Sequence, residues 1–137
     1  MITLRKKTSG STLLAFCGES DEVGRAVRIT GVEMDTLTVS QVNPAYPDQM
    51  PAYGVIVEKL SPTRCLVQRA GDVKLPPGVT LQPGKYCYVA SDATLTTTVP
   101  VADDSPSGVI VIQVVGLATG PAALNFSPSD TLLEIGA

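Results

Sequence analysis

"LQPGKYCYVASDATLTTTVP", residues 81–100, decides the fold. Pro83 and Gly84 punctuate a turn. "KYCYVA" places Tyr86 and Tyr88 on one face and Cys87 and Val89 on the other, the two-residue period of a strand. "SDAT" reads as a tight turn, "LTTTV" as the returning strand of a hairpin, and Pro100 as its end. None of these residues suggests a reaction.

The same order of elements occurs earlier in the chain. From Gly24 the sequence runs "GRAVRI", "TLTVSQ", a Pro-rich stretch, "GVIVEKL" and "SPTRCLVQ". From Gly84 it runs "GKYCYV", "TLTTTV", a Pro-containing stretch, "GVIVIQVVGLA" and "SPSDTLLEIG". Gly24 matches Gly84, Leu37 matches Leu95, and Ser61-Pro62 matches Ser127-Pro128. Gly54 aligns with Gly108 or Gly116, and Gly116 leaves the link to Ser-Pro closer in length. On this alignment "TGPAALNF", residues 119–126, is an insertion in the second copy. A unit of about 60 residues buries a small share of its surface and is marginal alone, so the two copies are expected to share one core.

Alternation recurs elsewhere. Val27 and Ile29 oppose Arg28, Val55 and Val57 oppose Ile56, Cys65 and Val67 oppose Leu66, and Leu133 and Ile135 oppose Leu132 and Glu134. No window shows a helical period. The expected fold is all-β: a compact antiparallel barrel or sandwich of roughly 8–10 strands built from two tandem repeats. The expected organisation is an N-terminal arm, 1–11, and one β domain, 12–137, with internal repeats 24–70 and 84–136. "VIVIQVV", Val109 to Val115, is apolar on both faces. It is expected at the centre of the sheet or at a subunit contact, with Ile110, Ile112 and Val114 as interface residues.

Composition agrees with this reading. Apolar residues make up 44 % of 137, but aromatics only 4 %, so the core is built from Val, Leu, Ile and Ala. Gly 12 and Pro 11 favour short strands and turns. A net charge of −3 offers no basic surface for nucleic acid, and no apolar run has the length of a membrane helix. The patch Leu13 to Cys17 is too short for a secretory signal. Cys17, Cys65 and Cys87 lie in apolar runs without CxxC spacing and read as buried free thiols of a reducing compartment.

The residues point away from catalysis. Histidine is absent, which removes the Ser-His-Asp and Cys-His routes and the commonest metal ligand. Glu19, Asp21, Glu22, Asp103 and Asp104 sit among Ser, Gly and Pro, where acidic residues solvate turns. No spacing fits a phosphate loop or an EF-hand. The expectation is a non-enzyme with no cofactor and no metal. Arg5, Lys6 and Lys7 form a small basic cluster, either a solvated terminus or a docking arm.

Four stretches carry a resemblance: "GRAVRI", "YGVIVEKLSPTRCLVQRAGDV", "LQPGKYCYVASDATLTTTVP" and "VVGLATGPAALNFSPSDTLLEIGA". Over residues 23–137 the layout resembles small structural proteins of tailed bacteriophages. These motifs belong to β scaffolds and bring no catalytic residues with them. The resemblance implies a virion protein assembled in the host cytoplasm. It would be either a head decoration (cement) protein, as a homotrimer on the major capsid protein, or a tail or fibre-associated adaptor or receptor-binding module. The absence of heptads and of a long fibrous segment favours decoration.

Overall fold

The computed structural model describes residues 12–102 and 105–136. The chain is all-β, as expected. Its first unit consists of β1 (Thr12–Phe16), β2 (Ala26–Glu33), β3 (Thr36–Gln41), β4 (Gly54–Ser61) and β5 (Arg64–Gln68), closed into a barrel in the order β1-β3-β2-β4-β5. Four of the five seams are antiparallel. The fifth, between β1 and β3, is parallel and pairs Ala15 with Leu37 and Phe16 with Thr38. Closure leaves no edge in this unit. Ala15, Cys17, Val27, Val39, Ile56, Cys65 and Val67 fill the interior.

The second unit adds β6 (Gly71–Lys74), β7 (Tyr86–Val89), β8 (Leu95–Thr96), β9 (Val109–Ile112), β10 (Val114–Gly120), β11 (Ala123–Phe126) and β12 (Leu133–Gly136). Its main sheet has the order β6-β11-β10-β7-β8. Reading β6 for β1, β7 for β2, β8 for β3, β10 for β4 and β11 for β5 reproduces every antiparallel seam of the barrel. The parallel seam has no counterpart among the described residues, so this sheet stays open. The tandem β repeat is therefore visible as a shared strand order.

Two pairs of glycines mark the correspondence. Gly24 and Gly84 both take a left-handed φ, +90° and +85°, where the chain turns into β2 and β7. Gly54 and Gly116 both sit where a side chain would strike the neighbouring strand, β5 or β11. Other landmarks shift. Register pairs Ile29 with Val39 and Val89 with Leu95, so Leu95 stands in for Val39 rather than Leu37. Ser61 ends β4 and Pro62 starts the turn to β5, whereas Ser127-Pro128 follows β11. "TGPAALNF" is the end of β10, the turn and β11, not an insertion. The matching units run from 12 to 68 and from 71 to 126. Ser-Pro suits many turns and so recurs without marking an equivalent place.

The two units share one core. Ala26, Val42, Met50, Ala52 and Val55 from the first pack with Val73, Leu81, Cys87, Val89, Val111, Val115, Leu124 and Phe126 from the second. Val27 and Ile56 face into the barrel while their neighbours Ala26 and Val55 face this shared core. The barrel wall is thus apolar on both sides where sequence alternation suggests one wet face. The Ala26 amide also donates to the Ala93 carbonyl at 2.7 Å, tying β2 to the β7–β8 hairpin.

Candidate interaction surface

The run Val109 to Val115 is not one strand. It breaks at Gln113, which is buried. Its side-chain oxygen accepts from the Ala52 amide at 2.8 Å, and its side-chain nitrogen donates to the Ser129 carbonyl at 2.9 Å. A buried amide needs such partners, and meeting them turns the chain out of one sheet and into another. β9 leaves the main sheet and pairs with β12 as a two-stranded ribbon, and β10 continues in the main sheet.

This explains the double apolar face within one copy. Val111 and Val115 enter the shared core, while Ile110 packs with Ala45 and Ala102 in a separate small cluster flanked by Ile112. Val114 is partly buried and opposes Tyr88 at the start of β10, away from the ribbon. Of the expected interface residues, Ile110 and Ile112 therefore fall together and Val114 does not. Arg5, Lys6 and Lys7 lie outside the described residues.

The ribbon carries exposed apolar surface, as does the β2–β3 hairpin at Val32 and Met34, 67 % and 78 % exposed. Antiparallel register sets Leu133 opposite Ile112 and Ile135 opposite Ile110, so these four side chains share one face. Leu133 is 57 % exposed and Ile135 39 %. Val99 and Val101, 46 % and 51 % exposed, flank Ile110 in a cleft of about 300 Å³. Within β9 and β12 the one charged side chain, Glu134, points to the opposite face. On its inner side β9 is anchored by the Val111 amide, which donates to the Pro44 carbonyl at 2.8 Å. On its outer side β12 has no strand partner among the described residues. Sequence reading placed Leu133 and Ile135 on one face but had no signal that the face is uncovered.

Elsewhere the polar groups serve structure. Asp21 accepts from the Gly18 amide at 2.7 Å, and the Lys59 ammonium donates to the carbonyls of Gly18, Asp21 and Pro62 at 3.0, 2.8 and 3.1 Å. Glu22 pairs with Arg25 at 3.3 Å on the surface. Burial opposes ionisation of Asp92, but hydrogen bonds from Thr94, with Arg25 nearby, hold its carboxyl below the usual range. Burial, reinforced by the adjacent Cys17 thiol, pushes the Cys65 thiol up to about 12, and burial alone pushes Cys87 to about 11. Such thiols are poor nucleophiles. Among the described residues no three Cys, Asp or Glu side chains are placed to hold a metal ion.

A second, polar groove of about 600 Å³ opens between Tyr53, Arg69, Ser127, Ser129 and Asp130, with the Arg69 guanidinium 5.1 Å from the Tyr53 ring centre. No protein-family model matches the chain, and no curated protein is similar to it. The fold and its surface define an all-β protein with an exposed apolar ribbon.

Proposed function

We propose that the chain is a structural protein of the bacteriophage virion, and within it a decoration protein of the head shell. The observation that carries this reading is the apolar face formed by Val99, Val101, Ile112, Leu133 and Ile135 around the buried Ile110. It suits burial against protein and offers no reacting group. The phage-like motifs over residues 23–137 supply the particle. The partner is the major capsid protein, and copies associate as homotrimers around this face. The work is mechanical: many copies bury surface across subunit seams and oppose rupture of the shell. Arg5, Lys6 and Lys7 add a salt-sensitive contact to acidic groups on the shell.

The polar groove beside the Tyr53–Arg69 stack favours a second reading, a tail or fibre-associated module that holds a receptor glycan. An averaged image of the particle separates the two. Decoration requires regular density on the outer head surface at shell stoichiometry. Density confined to the tail would replace it with the second reading.

A further inference from the structure

We infer that the ribbon is covered by a second copy of this chain, whose Val99–Pro100–Val101 segment lies along the outer edge of β12 as a third strand. The inference rests on reading the apolar face as an assembly surface, and it names the occupant.

Both partners of this contact are present on every copy. β12 offers an edge of backbone groups without a partner among the described residues, and an edge of this kind accepts an added strand. A two-stranded ribbon is marginal by itself, and a third strand stabilises it. The N–H groups of Val99 and Val101 and the carbonyls of Val99 and Pro100 have no hydrogen bond within the described residues, whereas the Val101 carbonyl opens into the 3-10 turn at Ala102. Pro100 fixes its own φ and biases Val99 towards extended conformations. Successive backbone groups of an extended chain point to opposite sides. Val99 therefore presents its N–H and C=O, and Val101 its N–H, on one side, and the missing N–H of Pro100 falls on the other.

The side chains match as well. Leu133 and Ile135 are two residues apart, as are Val99 and Val101, so each pair projects to one face at the strand period. Together they expose on the order of 300 Å² of surface, at the low end of the largest patch on a monomer and well short of a standard interface. An acidic or basic partner would find no counter-charge on this face of β9 and β12, whereas another copy brings the same apolar side chains. On one copy the two elements are neighbours through Ile110. β12 of one copy against Val99–Val101 of the next is then a head-to-tail contact, of the kind that builds rings when the rotation between copies closes.

The test uses Leu133→Asp and Val101→Asp in the full chain. Both positions are exposed, and circular dichroism and thermal melting check that each variant folds. Sedimentation velocity of the wild type across micromolar concentrations should show an oligomer. Each variant alone should sediment as a monomer, its dissociation constant raised at least about tenfold by the desolvated charge. Mixing the variants should restore association. The Leu133→Asp copy keeps its valine segment, the Val101→Asp copy keeps its β12, and one intact contact joins them. Amides of 133–136 should gain hydrogen-exchange protection with concentration. A monomeric wild type, variants that associate as the wild type does, a mixture that stays monomeric, or protection independent of concentration would each overturn the inference. Binding to undecorated particles, measured separately, reports on the decoration reading. A monomer that binds particles would sink the inference alone, and an oligomer that does not would sink the decoration reading alone.

Discussion

Gly116→Ala is expected to damage this fold severely, and the coordinates give the size of the effect. A Cβ at position 116 would lie 2.2 Å from the Asn125 carbonyl oxygen and 3.1 Å from its carbon. That overlap is roughly 1 Å beyond an ordinary carbon–oxygen contact. The obstacle is backbone, so no rotamer change relieves it. β10 must move away from β11 at the pairing of Gly116 with Phe126, in a strand that fills the shared core. Overpacking of this kind costs about 1–3 kcal/mol, and each ladder bond lost adds about 1 kcal/mol. We expect a loss of about 3–5 kcal/mol, a large part of the about 5–15 kcal/mol that stabilises an ordinary domain. The melting temperature should fall by about 10–15 °C. Gly54→Ala meets the Val67 side chain at 2.5 Å and the Gln68 carbonyl oxygen at 2.8 Å and should cost about 2–3 kcal/mol. Gly120→Ala, whose nearest neighbour is the Ala123 Cβ at 3.9 Å, should stay within about 0.5 kcal/mol of the wild type. Urea unfolding of the three variants, with calorimetry as a second probe, measures the series. If Gly116→Ala fell within about 1 kcal/mol of Gly120→Ala, the close approach of β10 to β11, and with it the equivalence to Gly54, would be refuted.

Other consequences can be checked in the same assays. Lys59→Met removes a charged donor from three carbonyls, and because the site is partly exposed the cost should be about 1–2 kcal/mol by urea unfolding. Asp92 has a depressed folded pKa, so its contribution is present above its unfolded value near 3.8 and is lost as pH falls through the folded value. Asp92→Asn should therefore lower stability at neutral pH and flatten the acid limb below about pH 4, so that the two proteins converge in acid. Cys65 and Cys87 have raised folded pKa values, so their contribution is present below about 9 and is lost as pH rises towards about 11 and 12. Stability should decline over that alkaline window, and a thiol reagent at pH 8 should modify Cys65 and Cys87 only after unfolding.

Much of this architecture is legible in the residues, and the illegible parts have physical reasons. Glycines at positions of left-handed φ or close strand approach are irreplaceable, so Gly24, Gly84, Gly54 and Gly116 preserve the repeat where side-chain identity drifts. Ser-Pro is a permissive turn former and misplaces the end of the second unit. "LLAFC" announces a strand but not its neighbour, so the parallel pairing of β1 with β3 is hidden. A glutamine within an apolar run carries no mark of its hydrogen-bond partners 61 and 16 residues away, so the break at Gln113 is hidden too. "TLLEIG" has the alternation of a covered strand, and only its place on a two-stranded ribbon reveals the exposed face.

The division between barrel interior and shared core also sets an order of events on the ribosome. Every residue that fills the barrel precedes residue 69, so the barrel can close once that much chain has emerged. Its outer wall, Ala26, Val42, Met50, Ala52 and Val55, then waits wet until β10 and β11 arrive. The closed barrel becomes the template on which the second sheet condenses. A nascent chain stalled after residue 70 should therefore resist protease within the barrel yet bind a hydrophobic dye. That dye signal should vanish when translation has passed Phe126, and a chain protease-sensitive throughout until that point would show that the barrel cannot close without its second wall.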